Sequence, residues 1–216
     1  VVAYIVSQLQ MYILLDSDVD VKGRAYEEIV GSNLRGDRGE FFTPRNICQM
    51  AVRMLDPGER QLVLDPACGT GGFLITAMHH VIRKIRATQL EKWKSKPELA
   101  HDAIKTKIIE YAGKFIVGID FNPELVKASK MNMAMNNDGA GGLYQANSLE
   151  NPAGWRDEAL RNRKLLGKVD LVFTNPPFGS KIPVTDPSIL EQYDLGHRWS
   201  YDEATDKWTM GTGLQK

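Results

Sequence analysis

The sequence predicts an α/β fold with a mostly parallel sheet. Three observations carry that reading. Short apolar runs alternate with helical patterns along the chain. The runs at 62–64, 114–120, 143–148 and 169–173 all end in acidic or polar tips. The first run feeds Asp65–Leu74, DPACGTGGFL, where an acid and a small-residue, glycine-rich turn lead into a helical pattern.

Taken in order, residues 1–38 read as a helical segment. Apolar positions 2, 5, 6, 9, 12 and 13 fit one face of a helix reaching about Leu15. An Asp-rich turn follows, then a short helix from Arg24 to about Leu34. The opening run is too short to span a bilayer and lacks a basic start and a small-residue cleavage site, so neither a membrane span nor a signal peptide is expected.

Residues 39–216 read as a second domain. Gly39–Asn46, GEFFTPRN, should be extended, because the residue before a proline avoids the helical region. A helix then starts at Thr43 or Asn46, with Ile47, Met50, Ala51 and Met54 on one apolar face, and Asp56-Pro57-Gly58 stops it. After the glycine turn a helix runs from about Gly72 to Ala87. Residues 88–112 read as an insertion, with Pro97 starting another helix. Between Val81 and Lys107 eight basic residues stand against three acids, a pattern of a solvated helical face.

Lys114–Asp120 is the second strand, and Asn122-Pro123 opens a helix that Asp138-Gly139 ends near Asn136. Leu143–Ser148 is the third strand. Val169–Phe173 is the fourth and runs into Thr174-Asn175-Pro176-Pro177-Phe178-Gly179. Beyond it, Pro183, Pro187, Gly196, Gly211 and Gly213 punctuate a polar stretch, so 179–216 is expected to be largely loop.

Bulk properties narrow the function classes. With 27 basic and 27 acidic residues the chain has no net charge, hence no global field advertising nucleic acid. Two cysteines, Cys48 and Cys68, cannot build a disulfide framework, and a reduced cytoplasmic setting is the default. No metal site is expected.

The glycine turn says nucleotide-like cofactor. Gly69, Gly71 and Gly72 are present, but the third position of a dinucleotide fingerprint is Leu74, which argues against NAD. No phosphate-cradling G-x-x-x-x-G-K-[ST] loop occurs. S-adenosylmethionine (SAM) fits better. Gly69, Thr70, Gly71 and Gly72 would pack against its methionine and ribose, Asp120 would accept from both ribose hydroxyls, and Asn147 or Ser148 would reach the adenine edge.

DPACGTGGF, then GID at 118–120, then NPPF at 175–178 resemble the motifs of amino-directed DNA methyltransferases. Their order after FFTPR is similar to the adenine-N6 class. The combination looks most like the modification (M) subunit of type I restriction–modification systems, over about residues 22–200. The resemblance implies a class I, Rossmann-like SAM-dependent methyltransferase with an N-terminal helical segment. It further implies DNA as substrate, a specificity subunit and a restriction subunit as partners, and no membrane. Glu40, Phe41, Phe42, Thr43, Pro44, Arg45, Asp65, Gly69–Gly72 and Asp120 would line the SAM pocket.

An exocyclic adenine amine is a poor nucleophile, because its lone pair is delocalised into the ring. Acceptors placed on its N–H groups draw it toward a nucleophilic form. Asn175 supplies a side-chain carbonyl and Pro176 a backbone carbonyl, Pro177 stiffens the turn, and Phe178 offers a face for a flipped base. No Asp, His or Lys is placed as a general base. Cys68, in the glycine turn, reads as a small packing residue.

RNA or a protein glutamine poses the same lone-pair problem, so these substrates stay open. Such sheets have seven strands and only four are visible, with VDLVF at 169–173 left as an apolar edge. The sheet is therefore expected to be incomplete toward the C-terminus. That keeps open an inactive SAM-binding fragment lacking the remaining strands and a target-recognition domain.

Overall fold

Strands β1 (Val63–Asp65), β2 (Ile116–Asp120), β3 (Leu143–Gln145) and β4 (Leu171–Val172) form one parallel sheet in the order β3-β2-β1-β4. The computed structural model describes residues 2–10, 43–136, 142–177 and 183–215. Helix α1 spans Val2–Leu9. The helix expected at Arg24–Leu34, the boundary at residue 38 and the Asp138-Gly139 stop lie outside the described residues.

The sheet is short; both faces are covered at β2, whereas Val172 of the edge strand β4 is exposed. Along β2, Ile116 joins a core with Val63, Leu74, Met78 and Leu143, while Val117 and Ile119 face a second core with Trp155, Leu160 and Leu165. That alternation is the period-two geometry of a strand, and burial on both faces explains its continuous apolar run. Gly118 sits where β2 passes closest to its neighbours. A Cβ there would lie 2.5 Å from Leu143 Cδ2 and 2.6 Å from Leu74 Cδ1.

Helices α2 (Arg45–Leu55), α3 (Gly72–Lys92) and α4 (Pro97–Phe115) pack in sequence, α2 on α3 and α3 on α4. The face of α2 that packs is Cys48 and Val52, with Ala51 partly buried, whereas Ile47, Met50 and Met54 are exposed. A short helix carrying apolar residues on most sides has two plausible faces, and tertiary packing picks one. No side-chain cap opens α2; Pro44 holds that position. Asp56 ends it in a left-handed conformation, its carboxylate bound by His80 and Lys84.

Helix α3 runs on to Lys92 rather than stopping near Ala87, and α4 takes Lys114 and Phe115 from the expected strand. Several basic residues here are paired, Lys84 with Asp56 and Lys107 with Glu59 across elements and Lys114 with Glu110 one helical turn away. Helix α5 (Pro123–Met135) starts as expected, Asn122 Oδ1 accepting from the Glu124 N–H. A short helix α6 (Glu158–Arg163) precedes β4. No described helix is long and apolar enough to cross a membrane.

The expectation that 179–216 is largely loop needs correction. Helix α7 (Pro187–Leu190) is followed by an antiparallel hairpin of β5 (His197–Asp202) and β6 (Lys207–Leu214). Trp199 and Tyr201 pair with Met210 and Trp208 across it, the Tyr201 and Trp208 rings 5.1 Å apart. Cross-strand aromatic pairs of this kind outweigh the glycines in β6.

Candidate active site

The site forms at the carboxyl ends of the four strands. β1 lies between β2 and β4, so the strand order reverses there, the switch point at which open α/β sheets bind ligands. Asp65 ends β1, Asp120 ends β2, Asn147 and Ser148 follow β3, and Thr174-Asn175 follow β4.

The glycine turn is built from backbone bonds. Gly71 takes φ 84° and heads α3, its N–H donating to the Cys68 carbonyl at 2.7 Å. Gly69 takes φ 54°, and a Cβ at that position would meet no atom within 4 Å, so space lies open above the turn. The Gly69 N–H donates to Asp120 Oδ2 at 2.8 Å, and the Asn122 N–H donates to Asp120 Oδ1 at 2.8 Å. Asp120 thus ties the turn to the tip of β2.

Asp65 is only 2% exposed. Burial pushes its carboxyl up to about 7, opposed by the Ala67 N–H and the Thr174 hydroxyl and reinforced by the Asp120 charge. Burial likewise pushes the Cys68 thiol up. Cys68 is packed in the core against β2, and a Cβ on Gly118 would lie 3.1 Å from its sulfur.

The β4 tip is tied at two points. Phe173 stacks on Phe73 of α3 with ring centroids 5.8 Å apart, and its N–H donates to the Leu64 carbonyl at 3.0 Å. The Thr174 side chain lies near Asp65 and lowers its carboxyl against the effect of burial. Asn175, exposed at the tip, donates from Nδ2 to Thr43 Oγ1 at 3.1 Å. Pro176 and Pro177 follow it, exposed.

The structure therefore brings together Thr43, Asp65, Gly69–Gly72, Asp120, Asn175 and Pro176. Pro44 and Arg45 start α2 beside them. Glu40, Phe41, Phe42 and Phe178 lie outside the described residues. Asn147 and Ser148 stand at the expected strand tip, and each side chain is engaged there. Asn147 Oδ1 accepts from the Leu149 N–H at 3.1 Å, and the Ser148 hydroxyl donates to the Pro66 carbonyl. Among the described residues no cluster of three His, Cys, Asp or Glu could hold a metal ion.

Two residues escaped the sequence reading. Asn132 and Asn136 are buried on α5, where Asn132 Nδ2 donates to the Thr70 carbonyl at 3.1 Å and Asn136 Nδ2 to the Asn132 carbonyl at 2.6 Å. They brace the glycine turn from behind. Their spacing of four, among methionines, is the signal that marks them as one helical face.

A model of the N-6 DNA methylase family matches residues 17–207. The methylase subunit of type I restriction enzyme StySPI of Salmonella potsdam is 31% identical over 166 residues, covering 73% of this chain and 27% of that protein. The methylase subunit of type I restriction enzyme EcoEI of Escherichia coli is 29% identical over 161 residues, again 73% and 27%. A modification subunit assigned to a type I restriction enzyme of Vibrio vulnificus YJ016 superposes with a TM-score of 0.53 at 28% identity, covering 82% of this chain and 32% of that one. The chain spans 27% of the length of these two curated relatives.

Proposed function

The chain belongs to the N-6 DNA methylase family, and we propose that it methylates adenine N6 in DNA with SAM as the donor. Its α/β fold is that of class I methyltransferases. The reading extends to work in the cytoplasm as part of a type I modification subunit, beside a specificity subunit and a restriction subunit; the names of the relatives support that extension.

One observation carries the reading. The Asn175-Pro176 turn and the glycine turn lie at the tips of the neighbouring strands β4 and β1, with Asp120 holding the glycine turn from the tip of β2. The residues fit SAM. Open space lies above Gly69, Asp120 stands at the tip of β2 where it would meet the ribose hydroxyls, and the buried Asp65 carboxyl would be held ionised by an ammonium group beside it. When bound, SAM supplies an electrophilic methyl group on a sulfonium.

What the chain itself does is position and polarise. Asn175 Oδ1 and the Pro176 carbonyl accept the two N–H groups of the target amine, which localises its lone pair on nitrogen. The N6 nitrogen forms the new bond to carbon along the line of the bond that breaks, and the surplus proton then leaves N6 for solvent. Pro176 and Pro177 hold the acceptors in place before the substrate arrives, so little reorganisation is needed.

A filter assay with tritiated SAM, offering DNA, RNA and protein separately, tests this. Label on DNA is expected. Label confined to RNA or to protein glutamine contradicts it, and SAM binding without any transfer favours a binding module.

A further inference from the structure

We propose that Thr43 is a positioning residue, its hydroxyl fixing which end of the Asn175 side-chain amide faces the substrate amine. The proposal deepens the methyltransferase reading above and rests on it.

An asparagine amide has two ends of similar shape and opposite chemistry, one accepting hydrogen bonds and the other donating them. A target amine also donates. Only the orientation with Oδ1 toward the amine serves the reaction; flipped, Nδ2 would confront the amine's own N–H groups. The prolines after Asn175 stiffen the backbone but cannot choose between these two states of the side chain. Thr43 can. Nδ2 donates to its Oγ1 at 3.1 Å, across 132 residues of sequence, which leaves Oδ1 as the end for the substrate.

Thr43 is itself held in place. It precedes Pro44, whose carbonyl accepts from the N–H groups of Ile47 and Cys48 as α2 begins. Cys48 is buried, its sulfur 3.8 Å from the Thr43 carbonyl oxygen and 3.7 Å from where a Cβ on Gly72 would stand. The hydroxyl therefore takes its position from the packing of α2 on α3. From the other side, the Phe173 N–H donates to the Leu64 carbonyl at 3.0 Å and its ring stacks on Phe73, two residues before Asn175.

The rival arrangement has the Thr43 hydroxyl donating to Oδ1, and it predicts the opposite effect on rate. Thr43→Val removes the hydroxyl at nearly constant shape, and Thr43→Ser keeps it. In protein isotope-labelled at asparagine, the Asn175 side-chain amide pair is identified by its loss in Asn175→Ala. That pair is expected to shift in Thr43→Val and to return in Thr43→Ser. Single-turnover methyl transfer to DNA at saturating SAM should slow about tenfold or more in Thr43→Val, with SAM affinity held, and recover in Thr43→Ser.

An unchanged or faster rate in Thr43→Val overturns the proposal, as does an Asn175 pair that does not move. Slowing fully explained by weaker SAM binding also overturns it, by making Thr43 a cofactor contact. If the parent protein methylates no DNA, the methyltransferase reading fails instead, and the amide pair alone decides whether Thr43 holds Asn175.

Discussion

Asn175 at the tip of β4 and Thr43 at the start of α2 share one hydrogen bond of 3.1 Å. Thr43, assigned to the donor pocket, thus also holds the turn assigned to the chemistry.

Asn175→Ala removes the side-chain acceptor without touching the glycine turn. Methyl transfer should fall by about a hundredfold or more, the size of effect seen when one preorganised hydrogen-bonding group is deleted from a site. Equilibrium dialysis with labelled SAM should give an affinity close to that of the parent. A parallel loss of SAM binding would mean that Asn175 serves the donor rather than the amine.

Asp120→Asn places a donating amide where two backbone N–H groups now find acceptors, from Gly69 and Asn122. At least one is left without a good partner, at about 1–3 kcal/mol. Urea unfolding should show that loss, and SAM binding should weaken with it. Unaltered stability would mean the carboxylate does not hold the turn.

The strand, glycine turn and helix around Asp65–Gly72 were legible because each residue type there has one local use: an apolar run, an acid at its tip, glycines where φ is positive. Asn122 was legible for the same reason, being a cap followed by proline. The packing face of α2 was not, since Ile47, Met50 and Met54 follow helical spacing as well as Cys48 and Val52 do, and only the neighbouring α3 chooses. The β5–β6 hairpin was hidden because glycine and proline mark turns locally, whereas the Trp199–Met210 and Tyr201–Trp208 pairs exist only once the strands meet. In the site, the Thr43–Asn175 bond joins segments far apart in sequence, and no local pattern announces it.

Gly118→Ala should destabilise the fold through overpacking. Its Cβ would press on Leu143, Leu74 and Cys68, all buried, and the cost is about 1–3 kcal/mol. A thermal melt checks it; a variant as stable as the parent would mean that β2 and its neighbours yield easily.

Asp65 predicts a pH dependence of definite sign. Its carboxyl is raised to about 7, above the value of about 3.9 in an unfolded chain, so the folded state holds the proton more tightly. Its contribution to stability is complete below about pH 4 and is lost as pH rises through about 7. Asp65→Asn should remove that decline, so urea midpoints followed across the range should fall less with pH than in the parent. A parent profile that rises over this window would contradict the assignment.

The most direct measurement is nucleoside mass spectrometry of DNA incubated with isotopically labelled SAM and the protein, in this chain and in any longer product of its gene. The account predicts labelled N6-methyladenine with the parent sequence and none above background with Asn175→Ala. Label on cytosine, or label on adenine that persists in Asn175→Ala, would contradict it.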